Sequence, residues 1–176
     1  MENKKQIFFC SCFFRKFPYF CRDLLYAIQI MPVEEQNQIR EKYHSEALRY
    51  MDNAMECLKN AQKEGDYYRD PKYVKMACGT AYSGVLVALD GFLILKVMPP
   101  SNSRKARKSI EYYQKNIGKT DRKMLDYVNN AYKILHLFGY YDGIEKVDIV
   151  KSGFAEAHKI IEAIKPAGLN GSQIRQ

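Results

Sequence analysis

The sequence predicts an all-α fold, an antiparallel bundle of four to five helices, on three observations. Apolar residues recur at steps of three and four through several segments. Glycine, proline and capping residues punctuate those segments at short intervals. No stretch alternates apolar and polar residues as a half-buried strand does, and no internal repeat is present. At 176 residues, 47% of them hydrophobic, the chain is long enough for one domain with a sizeable core.

Residues 1–32 differ from the rest. The run Ile7 to Phe14 is rich in Phe and Cys, Arg15 and Lys16 interrupt it, and Phe17, Pro18, Tyr19, Phe20 and Cys21 follow. A secretory signal has an apolar stretch ahead of a small-residue cleavage site; here the stretch is only about eight residues and nothing resembling A-x-A follows. The expectation is an N-terminal extension, poorly ordered or a misassigned start, because Met31-Pro32-Val33-Glu34 reads as a natural beginning. An amphipathic surface anchor and a signal are the alternatives.

From Glu34 onward Ile39, Tyr43, Ala47, Tyr50, Met51, Ala54, Leu58 and Ala61 mark one helix face. Glu34 and Glu35 near its start and Lys59 and Lys63 near its end suit the macrodipole, and Gly65 ends it. Asp70-Pro71 then opens the second helix, since the carboxylate can take an orphan amide proton and proline fits a position that needs no donor. Between Met76 and Leu95 a single charge, Asp90, stands among many small residues, so this helix must be surrounded on nearly all sides. Its length permits a membrane span. Asp90 would then cost roughly 2.5 kcal/mol or more in hydrocarbon, and the one-sided stripes of the other helices need a common partner. The sequence therefore predicts a central helix wrapped by its own chain, with no membrane span.

Pro99-Pro100 ends that helix, and the run S-N-S-R-K-A-R-K follows at 101–108. Arg104, Lys105, Arg107 and Lys108 are candidates for phosphate contact; a solvated connection is the plainer reading. A short helix over 109–117 carries Ile110, Tyr113 and Ile117 and closes at Gly118. Thr120-Asp121 caps the next, whose stripe is Met124, Tyr127, Val128, Ala131, Leu135 and Phe138, with Gly139 as terminator. Tyr67 with Tyr68, and Tyr140 with Tyr141, fall in predicted loops. The last helix covers 147–164 with Val150, Phe154, Ala157, Ile161 and Ile164 inward, leaving 33–166 as the bundle domain and 167–176 as a flexible tail.

The 28 Lys and Arg against 20 Asp and Glu give a net charge of +8, a mild excess that nucleic acid or any acidic partner suits and none is required by. Five cysteines, an odd number, with no C-x-x-C pair and two inside predicted helices, argue against a disulfide framework and for a reducing, cytoplasmic compartment. No metal-ligand spacing, phosphate-cradling glycine loop, nucleophile elbow or kinase signature occurs, so no cofactor and no metal is expected.

The first helix, with Tyr43, Ala47, Tyr50, Ala54 and Leu58, followed by A-Y-S-G-V-L-V-A-L-D, resembles the HEPN group (higher eukaryotes and prokaryotes nucleotide-binding domain). The stretch 43–164 resembles more closely a bacterial domain family of unknown function made of this bundle alone. The resemblance implies a HEPN-like fold, and in the ribonucleases of the group an arginine and a histidine on a late helix form a site between two protomers. The matching segment is N-N-A-Y-K-I-L-H, with Asn129 standing where the arginine would be and His136 as the histidine. In an α-helix these two return to within about 20° of each other. An amide cannot supply the permanent positive charge that would stabilise an oxyanion, so catalysis is not expected, although His136 could act as a base.

His136 next to Leu135 also reads as a boundary histidine bonded to a neighbour. Asp90 among apolar residues needs a partner, and His136, Tyr82, Asn129 or Asn130 could serve. The expectation is that Asp90 and His136 share a polar pocket between the second and fourth helices. His44 and His158 carry no spacing signal and read as surface residues. Two functions follow. The first is a non-catalytic HEPN-like bundle that acts by association, as a homodimer or with another protein. The second is an RNA- or nucleotide-binding module, in its strongest form a degenerate ribonuclease using His136.

Overall fold

The computed structural model describes residues 31–96 and 108–167. Expectations placed on residues 1–30, on Arg104, Lys105 and Arg107 and on the tail beyond 167 lie outside the described residues. Among the described residues five α-helices make an all-α bundle: α1 (Val33–Asn60), α2 (Pro71–Lys96), α3 (Ile110–Ile117), α4 (Arg122–Ala131) and α5 (Val147–Glu162). Two strands of two residues each, β1 (Lys63–Glu64) and β2 (Tyr67–Tyr68), join α1 to α2. Between α4 and α5 the chain continues as a π-helical stretch, Tyr132–Asp142.

Helix α2 is the centre. Asp70 Oδ1 accepts from the Lys72 amide at 2.9 Å, the cap expected of Asp-Pro. Thirteen of its residues are buried, from Val74 to Leu95, because α1, the π-helical stretch and α5 all pack against it. By length and composition it could cross a membrane, and 56% of its most apolar window is buried inside the protein. The small residues set the distance to α1. A Cβ added at Gly91 would lie 2.7 Å from Tyr43 Cβ, and one at Gly84 would lie 2.9 Å from Tyr50 Cβ. Only glycine lets the two backbones come this close. Along α1 the expected stripe is buried at Ala47, Met51, Ala54, Leu58 and Ala61, while Ile39, Tyr43 and Tyr50 are half-buried.

Three local expectations need correction. Helix α1 stops at Asn60, and the residues up to Tyr68 form an antiparallel hairpin, Lys63 opposite Tyr68, where only loop was expected. Gly65 at φ +60° makes the two-residue turn, and the hairpin is tied across the bundle by Tyr68 N–H donating to Glu145 O at 2.8 Å and Val147 N–H to Asp66 O at 2.9 Å. Strands this short have no room for an alternation signal. Secondly, Gly139 does not end the fourth helix. It is the point of closest approach to α2, where a Cβ would lie 2.6 Å from Cys78 Cβ. The stretch ends at Gly143, which is left-handed at φ +73°. Tyr140 and Tyr141 are thereby in the last π-helical turn and not in a loop. Thirdly, His44 is buried, with 5% of its surface exposed, because α1 rotates it toward α5; His158 is exposed as expected.

Candidate functional site

Helix α4 begins where Asp121 Oδ1 accepts from the Met124 amide at 2.9 Å, and Met124, Val128 and Ala131 hold it to the core. At Tyr132 the ladder changes to i→i+5, and that change builds the site. His136 stacks on Tyr132 with ring centroids 5.3 Å apart and on Tyr140 at 5.9 Å, a row at steps of four. Tyr141 meets it edge-on at 5.1 Å. In an α-helix residue i+5 lies about 140° around the axis; in an i→i+5 ladder it returns to the same side. The π register is why one histidine gathers both tyrosines.

Helix α2 supplies the fourth ring. Tyr82, nearly buried, stacks on His136 at 4.7 Å and tilts against Tyr132 at 6.0 Å. Burial pushes the Tyr82 phenol far above its usual range and holds the His136 imidazole below its own. Outward, Tyr140 and Tyr141 are 47% and 61% exposed. Lys75 of α2 donates from Nζ to the Tyr141 carbonyl at 2.9 Å and fixes the end of the stretch. Lys133 lies over the Phe138 ring, 5.6 Å from its centroid.

The other expected site residues go elsewhere. Asn129 Oδ1 accepts from Gln114 Nε2 at 2.8 Å, which ties α4 to α3. No hydrogen bond or ring contact among the described residues joins Asn129 to His136: seven residues apart, they lie about 10 Å from each other along the axis even in α geometry, and the π steps also rotate them out of line. Among the described residues Asp90 makes its hydrogen bonds with α3 and with Lys108 just before it, and not with His136. It accepts from Tyr113 OH and from Lys108 Nζ, each at 2.7 Å. Asp90 lies eight residues beyond Tyr82 on α2, about 12 Å along the axis, and so faces α3. Lys108 is spent on this pair. Tyr113, 4% exposed, is pushed up by burial first and by its bond to Asp90 second.

The tyrosine row was open to detection, since Tyr132, His136 and Tyr140 stand at steps of four in the sequence. The contribution of Tyr141 was not, as it depends on the π register. An open groove lined by Glu64, Tyr67, Tyr68, Arg69 and Glu145 lies at the hairpin and includes none of the rings around His136. Among the described residues no three of His, Cys, Asp or Glu gather as metal ligands.

Residues 42–166 match the family model described as a domain of unknown function, DUF5618. The chain belongs to this family. The DUF5618 domain therefore takes in α1 from its third turn, the whole aromatic cluster and α5, and ends where the described bundle ends. A solved protein of unknown function from Dyadobacter fermentans is similar to this DUF5618 chain at 39% identity, with a TM-score of 0.62, over 70% of this chain and 94% of that one. No curated protein matches.

The DUF5618 cluster offers chemistry of a restricted kind. Among the described residues the ring contacts of His136 are all with tyrosines, Tyr82, Tyr132, Tyr140 and Tyr141. Exposed tyrosines with an apolar body and a polar tip are well equipped to be covered by another surface.

Proposed function

We propose that this HEPN-like bundle works by association without catalysis, pairing with a second copy of itself along the edge formed by Tyr140, Tyr141 and His136. The observation that carries the reading is the exposure of two adjacent tyrosines whose rings are already ordered against His136 and each other, 5.2 Å apart. Rings held in place lose little entropy when covered. Charges of both signs border the edge, Lys75, which donates to the Tyr141 carbonyl, and Asp142 next to it in the chain, so a two-fold copy can set opposite charges against each other. The resemblance to paired HEPN protomers points to the same helix. Asn129 in place of the arginine supports the absence of catalysis, since an amide supplies no permanent positive charge.

The burial of α2 supports a cytoplasmic bundle with no membrane span, so the chain is expected in the soluble fraction without detergent. Two differently tagged copies of the full chain, expressed together, test the pairing. They are expected to co-purify, and a Tyr140→Ser/Tyr141→Ser pair to lose at least most of that. Failure of the wild-type copies to co-purify overturns the reading.

RNA engagement is the second reading, favoured by one observation: stacked rings beside Lys75 form a platform of the kind on which bases stack. Mixed RNA incubated with the protein and with His136→Ala separates the two. Cleavage by the wild type alone would establish a ribonuclease and remove the non-catalytic proposal.

A further inference from the structure

We propose that His44 is a pH-sensitive latch between α1 and the last turn of α5. His44 is 5% exposed, and its Nε2 has no hydrogen-bond partner among the described residues. A buried ring nitrogen without a partner is costly when neutral, and a charge placed there costs more. Burial accordingly holds the imidazole below its ordinary range.

The groups around it do not cancel that cost. From α5 and its end, Glu162 and Lys165 act on His44 with opposite signs. Glu162 is exposed, so water screens its attraction. From α2, the other helix packed along α1, no charged group acts on it among the described residues. On α1 itself Arg40 and Glu41 lie one turn earlier, and the Arg40 guanidinium donates to the Lys165 carbonyl at a long 3.5 Å. This long bond reaches from α1 to the end of α5, where Ile160, Ile161 and Ile164 are fully buried.

Below about pH 6.5 an open form takes up a proton that the closed form refuses, and the closed form loses ground. Helix ends open at the lowest cost. Lifting the last turn of α5 hydrates His44 while α1 stays on α2, so acidification releases one end of the bundle and leaves its centre closed.

Amide hydrogen exchange on the full chain at pH 7.5 and 5.0, corrected for intrinsic exchange rates, reads this directly. Protection over 160–167 is expected to fall roughly threefold or more relative to residues 81–89 of α2, and His44→Leu is expected to remove the difference. Equal loss in both segments, or the same local loss in His44→Leu, overturns the proposal. Should His44→Leu fail to fold, titration of the wild-type His44 imidazole by NMR decides: a midpoint below the free-imidazole range supports the latch, and one within or above it overturns the latch.

Discussion

A methyl group is the smallest probe of the seam between α2 and the π-helical stretch. Gly139→Ala would put a Cβ 2.6 Å from Cys78 Cβ and 3.1 Å from the Ile134 carbonyl, both in buried, well-packed positions. Overpacking of that kind costs about 1–3 kcal/mol. Urea unfolding of the variant is expected to show a loss in this range, whereas a change below about 0.5 kcal/mol, the ordinary scatter of surface substitutions, would mean that the seam is looser than described. Cys78 is part of the same contact, and burial pushes its thiol up to about 12, so it acts as a small apolar group and not a nucleophile.

Single residues were legible where the cause is local. Asp70 and Asp121 were recognisable as caps because the cap, the turn and the helix all lie within four residues. Gly139 and His44 were misread because their surroundings come from other elements. A glycine after a helical pattern looks like a terminator until Cys78 arrives from α2. A histidine without spacing looks exposed until α5 covers it.

Among the elements, the four longer helices followed from apolar periodicity and punctuation. The hairpin and the π register did not, since each is held by partners far along the chain, Glu145 for Tyr68 and Lys75 for Tyr141. Asp90 illustrates the same limit. Its need for a partner was evident from the apolar sequence around it, but its partners are Tyr113 and Lys108 of α3 and the turn before it. The consequence is a ranking. Asp90→Ala leaves the buried Tyr113 hydroxyl without an acceptor and is expected to cost about 1–3 kcal/mol. Tyr113→Phe leaves Asp90 with Lys108 and partial access to water, at a cost of about 0.5–1.5 kcal/mol. Denaturant midpoints in the reverse order would contradict the view that this carboxylate anchors α3.

For the whole molecule, His44 and His136 both resist protonation when folded, desolvation being the first cause in each. Their folded pKa values lie below the unfolded value. Above about pH 6.5 neither state carries the proton and nothing is lost; as the pH falls from there, the unfolded chain binds protons that the folded chain does not, and stability declines. Urea midpoints are expected to drop between pH 7 and pH 5, and His44→Leu with His136→Phe to flatten that part of the profile. A midpoint that rises on acidification would have the sign wrong.

The same aromatic cluster carries the central claim, that the bundle pairs with a second copy along the tyrosine edge. Sedimentation equilibrium on the full chain measures this most directly. The account predicts a mass twice the 20.5 kDa of one chain, reverting to one chain in Tyr140→Ser/Tyr141→Ser; a wild-type protein that stays at the single-chain mass up to the highest concentration measured would contradict it.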